Sequence, residues 1–170
     1  MIERKILHVG CGGEALPAWM VGTETRLDIC DDHKPDILAS MTDLGAIGDY
    51  DIVYSSHSLE HLALHDIKKA LSEMLRVLKK GGFALIIVPD LEDVRPTNEV
   101  VYNSVSGFIT GLDMYYGYSK MVEESPYMAH KYGFVEDTLK ELMKDAGFVT
   151  VNTRRLKAEF EHNLMGVGIK

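Results

Sequence analysis

Only two cysteines, Cys11 and Cys30, occur in the 170 residues. Each follows a predicted strand, and so few thiols make poor material for a disulfide framework, so both read as small packing residues. No apolar run approaches the roughly 20 residues that a membrane helix requires, which argues against a membrane partner. Basic residues are in deficit, 18 against 26 acidic, for a net charge of -8. The Lys and Arg are scattered apart from Lys79-Lys80 and Arg154-Arg155. A phosphate backbone calls for concentrated positive charge, so nucleic acid is not the expected partner. Internal repeats, low-complexity tracts and a linker are also missing, and the length suits one domain spanning 1–170. The first predicted strand starts almost at Met1, which leaves no room for a cleavable leader; the expected location is the cytoplasm.

What is present is organised around Lys5–Gly13, KILHVGCGG. Ile6, Leu7 and Val9 predict a short buried strand, and Gly10, Gly12 and Gly13 permit a sharp turn with no side chain in the way of a ligand. Ligands of open parallel sheets bind beyond the carboxyl ends of the strands. Glu14–Met20 has room for one helical turn, kept short by Pro17 and Gly22. A second strand, Thr25–Ile29, carries Asp28 at its end, where a carboxylate can accept from ribose hydroxyls. Asp36–Ala39 and Asp51–Ser55 predict two more strands, the latter opening onto the crevice of Gly12. Ile67, Ala70, Leu71, Met74, Leu75 and Leu78 form one helical face, with Lys79-Lys80 suited to its dipole and Gly81-Gly82 as its stop. Phe83–Val88 is a buried strand ended by Pro89.

Periodicity fades over 91–132, where six of the eight tyrosines gather. An insertion beyond a strand end is a place for a lid or acceptor pocket, and its aromatic content argues against disorder. Val135, Leu139, Leu142, Met143 and Ala146 predict a last helix. Phe148–Thr153 and Leu164–Ile169 then predict an antiparallel pair joined by a polar connection.

Gly10 to Ala15 also fits G-x-G-x-x-A, with Asp28 near the distance expected in a dinucleotide site, although Pro17 breaks the helix that should follow. The whole series decides: LHVGCGG, LDI, DYDIVYSSHSLEHL, EMLRVLKKGG, FALIIVPD and KYGFVEDTLKELMKDAGF. Together these resemble the class I S-adenosylmethionine-dependent methyltransferases, in particular a small bacterial group with an LHLGCG opening, an S-H-x-L-E-H segment and an RVLKPGG turn. The resemblance implies a Rossmann-like α/β fold with a seven-stranded sheet of order 3-2-1-4-5-7-6. Its last strand would be antiparallel and helices would cover both faces, trimmed at the amino terminus. It implies S-adenosyl-L-methionine as cofactor. Gly10, Cys11 and Gly12 would line its methionine part, Asp28 its ribose, and Ile29, Ser40 and Met41 its adenine. Ser56 and His57 would lie beside the sulfonium. Against the family pattern, His8 replaces an acidic residue, Ser40 an aspartate and Lys80 a proline.

Methyl transfer from a sulfonium is an in-line displacement that depends on alignment. An oxygen acceptor gains from a base poised near neutral pH, for which His57 and His130 are the candidates. His57, Glu60 and His61 span one turn and, with His130, could hold a divalent metal; a structural turn at the start of the helix is the reading adopted, so no metal is assigned. His130 opens H-K-Y-G-F, which matches an H-K-x-G-F of the similar group. The expected function is methyl transfer to a small-molecule acceptor at O or N. A non-catalytic S-adenosylmethionine-binding module and an NAD-dependent oxidoreductase are the alternatives, and a homodimer is one way to cover an open crevice.

Overall fold

The computed structural model describes residues 3–104, 106–158 and 161–170. In chain order the main elements are β1 (Lys5–Val9), β2 (Thr23–Asp28), β3 (Ile37–Leu38), β4 (Tyr50–Ser56), α1 (Leu64–Val77) and β5 (Leu78–Pro89), then β6 (Val100–Ser104) and β7 (Gly107–Thr110). There follow α2 (Gly111–Tyr116), α3 (Ser119–Glu124), α4 (Glu136–Asp145), β8 (Thr150–Ala158) and β9 (Glu161–Ile169). Seven strands form one sheet in the order β3-β2-β1-β4-β5-β9-β8, while β6 and β7 form a separate hairpin. Strands β1 to β5 pair in parallel, and β9 runs antiparallel to both its neighbours. This is the strand order implied by the methyltransferase resemblance.

Alternation along the strands sorts their side chains to two faces. Leu7, Val9, Val53, Ala84, Ile86, Val88 and Leu164 join the main core with Ile67, Leu71 and Met74 of α1 and Leu139, Leu142 and Met143 of α4. The period of α1 therefore packs as its sequence predicts. The opposite face holds a smaller cluster of Ile6, Met20, Ile52, Tyr54 and Leu85, with Leu16 packed against it. No helix contributes to that cluster among the described residues, so the expectation of helices on both faces is met on one face only. The turn of helix expected over Glu14–Met20 is absent too, because Pro17 cannot donate and the segment runs irregularly beneath the sheet.

Three boundaries differ from the sequence expectation for identifiable reasons. α1 stops at Val77 because Leu78 is already extended, and Lys79-Lys80-Gly81-Gly82 enters β5 with a register shift, Gly81 having φ +80°. Lys79 thus serves no helix dipole; its Nζ lies 2.7 Å from Asp51 Oδ1. The carbonyl ends of α1 and its exit instead accept from Lys170 Nζ, at Arg76 O and Leu78 O. The last two strands reach much further than predicted, pairing from Thr150–Ile169 to Ala158–Glu161, so the polar connection is mostly hairpin; positions 159 and 160 of it lie outside the described residues.

Segment 91–132 is folded. Leu91, Val94, Ile109 and Met114 bury one another, with Tyr102, Tyr115 and Tyr118 packed around them. Thr110 and Asp113 form a reciprocal capping box at the start of α2. Buried Asp90 anchors the segment's entry: Arg155 Nε donates to its Oδ2 at 2.6 Å, and Arg155 and Lys157 hold exposed Asp93 down to a pKa of about 2.

Candidate active site

The glycine turn is built by backbone and by β2. Gly10 and Cys11 both donate to Leu27 O, at 2.8 and 3.1 Å, bending the chain over the end of β2. Gly10 has φ +67° and a Cβ there would strike Ser58 Oγ, so this position requires glycine. Gly12 has φ +46° and faces open space. Asp28 Oδ2 accepts from Gly12 N at 2.8 Å and Oδ1 from Cys30 N at 2.9 Å, which ties the two loops together. Each oxygen keeps a second lone pair for a further donor. Cys11 is buried beside the turn and Cys30 is exposed, both as thiols.

Arg26 is a member of this site that the sequence reading did not single out. Its guanidinium donates to Gly12 O at 2.6 Å and Glu14 O at 2.7 Å, clamping the loop from one side. Beneath it His8 is buried, its Nδ1 2.8 Å from Glu24 Oε1. Burial pulls the His8 pKa below its ordinary value, with Glu24 opposing. The carboxylate missing at position 8 is thus present one strand away, at Glu24. The His8↔Arg26 and Ile6↔Glu24 registers were the signal, readable only once β1 and β2 are paired.

Ile29 projects into solvent at the end of β2, and Met41 reaches the glycine turn, its Cε lying close to where a Gly10 side chain would begin. Ser40 Oγ is 2.8 Å from Thr42 Oγ1 and accepts from Thr42 N, capping its own turn. Ser56 ends β4. His57 follows in a left-handed conformation, φ +50°, its N–H donating to Ile87 O at 2.9 Å. The chain then makes a 3₁₀ turn over Leu59–His61, so His57 and His61 are not on one α-helix.

This turn brings two regions together. Ser58 Oγ donates to Gly10 O at 3.1 Å, while Glu60 O accepts from Lys131 N at 2.7 Å and Tyr132 N at 3.2 Å. The Glu60 side chain is buried, and His57 Nδ1 stands 3.4 Å from its Oε1 without hydrogen-bond alignment. Burial works against the charge on Glu60, but His57, His61 and His130 outweigh it and hold the carboxyl below its usual range. His130 Nδ1 lies 2.9 Å from Met114 O, and burial lowers its pKa. Beside it opens a cleft of about 380 Å³, bounded by Leu91, Tyr116, His130 and Tyr132 among others. Tyr115 donates to Val94 O and Tyr132 packs edge-on against Phe134, so those two rings are mainly structural.

Residues 7–86 match the family model described as a methyltransferase domain. The match spans a little under half of the chain and, with the fold, supports a class I S-adenosylmethionine-dependent methyltransferase. Three solved structures show the same fold at low identity. One is the 1,6-didemethyltoxoflavin-N1-methyltransferase of Burkholderia thailandensis, with bound 1,6-didemethyltoxoflavin and S-adenosylhomocysteine: TM-score 0.67, 15% identity, covering 99% of this chain and 71% of that one. An S-adenosylmethionine-dependent methyltransferase of Mesorhizobium loti gives TM-score 0.68, 13% identity, and coverage of 98% and 91%. Another, from Archaeoglobus fulgidus, gives 0.63, 16%, and 99% and 86%. No curated protein sequence matches the chain. The domain match and fold set aside the oxidoreductase alternative, and S-adenosyl-L-methionine is the methyltransferase's cofactor. No helix among the described residues is long and apolar enough to cross a membrane.

Proposed function

We propose that the chain transfers the methyl group of S-adenosylmethionine to a small-molecule acceptor held in the cleft beside His130. The observation that carries this is the 3₁₀ turn, which touches the glycine turn through Ser58 and the cleft segment through Glu60 O. Donor loop and acceptor cleft thus share one rigid connector, which suits a reaction governed by alignment. The methyltransferase whose structure holds both a toxoflavin precursor and S-adenosylhomocysteine supports a small acceptor by analogy of fold.

Gly10, Cys11 and Gly12 line the methionine part, Asp28 receives the ribose hydroxyls, and Ile29, Ser40 and Met41 border the adenine. Ser56 and His57 stand by the sulfonium. A lone pair on the acceptor oxygen or nitrogen forms the new bond to the methyl carbon as the carbon–sulfur bond breaks and its electron pair returns to sulfur. The acceptor proton passes to His57 and from there to water. The domain is single, with segment 91–132 supplying the cleft wall, and His130 orients the acceptor from that wall.

The test is formation of S-adenosylhomocysteine from S-adenosylmethionine across a panel of small hydroxyl and amine acceptors. Acceptor-dependent turnover is expected, and His57→Asn, which tolerates the left-handed backbone, lowers kcat by about 100-fold while cofactor binding persists. Turnover on no acceptor by a protein that binds S-adenosylhomocysteine favours the non-catalytic module instead. Full activity in His57→Asn removes His57 as the base.

A further inference from the structure

Both backbone polar groups of Gly12 are gripped by side chains of one strand. Asp28 Oδ2 accepts from Gly12 N at 2.8 Å, and Arg26 Nη2 donates to Gly12 O at 2.6 Å. Alternation along β2 puts Arg26 and Asp28 on the same face of the sheet. The other terminal nitrogen, Arg26 Nη1, donates to Glu14 O at 2.7 Å, so the planar fork spans the turn from Gly12 to Glu14. Gly12 has φ +46° and open space where a Cβ would stand. With no side chain to pack, it is held by these two residues of β2.

The grip stands in for an element the chain does not form. In a helix beginning at the turn, Gly12 O and Glu14 O would accept from amides four residues further on. Pro17 interrupts that stretch and no helix follows the turn, so these carbonyls need another donor. Among the described residues, no other basic side chain hydrogen-bonds the turn. Arg26 is itself supported: Glu24 Oε1, on the same face of β2, lies 3.6 Å from its Nη1 and 2.8 Å from Nδ1 of buried His8. The strand thus presents a row of alternating charge, Glu24, Arg26 and Asp28, with the cation in the middle.

We propose that Arg26 is the positioning residue for the amino-acid half of the cofactor. By fixing the Gly12 and Glu14 carbonyls it sets the shape of the turn, and through the turn it sets the affinity for the methionine part alone. The proposal rests on the glycine turn lining that part of the cofactor. The ribose and adenine are assigned to Asp28, Ile29, Ser40 and Met41, none of which hydrogen-bonds Arg26. Asp28 also keeps an anchor of its own in the Cys30 amide, so the ribose carboxylate does not depend on the arginine. Lysine does not replace the fork, because it is a point charge on a flexible stem and cannot hold two carbonyls in fixed geometry.

The test is calorimetric titration of the wild-type chain, Arg26→Lys and Arg26→Gln with two ligands, S-adenosylhomocysteine and 5′-methylthioadenosine. The second keeps adenine, ribose and sulfur and carries a methyl group in place of the amino-acid chain. Both variants should weaken S-adenosylhomocysteine at least about 10-fold and hold 5′-methylthioadenosine within about twofold of wild type, since charge-assisted bonds to the turn are lost or loosened. Retained 5′-methylthioadenosine binding also shows that a variant is folded. Equal weakening of both ligands overturns the proposal and makes Arg26 a general structural residue. Full S-adenosylhomocysteine affinity in either variant overturns it as well, because the fork is then dispensable. Wild-type protein that binds neither ligand strikes the cofactor-site reading itself, and the proposal with it.

Discussion

Asp28 and His8 show how individual side chains in this site serve two neighbours at once. Asp28 holds the Gly12 and Cys30 amides and has lone pairs left over for ribose hydroxyls. Its replacement in Asp28→Ala should weaken S-adenosylhomocysteine by more than about 1 kcal/mol, or about fivefold, in a calorimetric titration. Unchanged affinity would remove it from the ribose site. His8 is buried and its pKa is lowered by that burial, so the fold favours the neutral ring. Its contribution to stability is complete above the unfolded-state value of 6.5 and is lost as pH falls through the lower folded-state value. Urea midpoints taken from about pH 7.5 down to about pH 5 should therefore fall more steeply in the wild type than in His8→Gln. Parallel slopes would mean that His8 titrates alike in both states. Asp28 was legible in the sequence because it ends a strand after a glycine turn; Arg26 and Glu24 were not, since their roles depend on strand register.

At the scale of elements, the glycine turn separates two demands on one loop. Gly10 needs both its positive φ and the room taken by Ser58, whereas Gly12 needs only the φ and faces open space. Gly10→Ala should cost more than the roughly 1–2 kcal/mol of a left-handed alanine. Gly12→Ala should stay near that figure yet lose cofactor affinity disproportionately, because its methyl group enters the space assigned to the methionine part. Equal effects of the two on denaturant midpoint and on binding would contradict this division. The period of α1 and the apolar run of β5 could be read directly, since both follow from local alternation of apolar side chains. The Lys79-Lys80-Gly81-Gly82 stretch could not, because Leu78 ends the helix first and the glycines then serve the strand. The segment Leu59–His61 forms a 3₁₀ turn that buries Glu60, so His57 and His61 do not share the helical spacing the sequence offered.

For the whole molecule, strand order followed from the ordered series of motifs and not from any single one. The chain reaches a methyltransferase architecture with helical cover on one sheet face, while Leu16 and Met20 pack on the other. Segment 91–132 has its own small core, so its tyrosines chiefly hold the segment together and only a few meet the cleft. The sequence offered Glu60, His61 and His130 as a candidate group, and the backbone bonds from Lys131 and Tyr132 to Glu60 O are what bring them together in the fold. The central claim is that the crevice between glycine turn, Asp28 and His57 takes S-adenosylmethionine. It is tested most directly by calorimetric titration of the purified chain with S-adenosylhomocysteine, with NADH as the parallel ligand. Saturable micromolar binding of S-adenosylhomocysteine with none of NADH is the predicted result; NADH binding in the absence of S-adenosylhomocysteine binding would contradict the account.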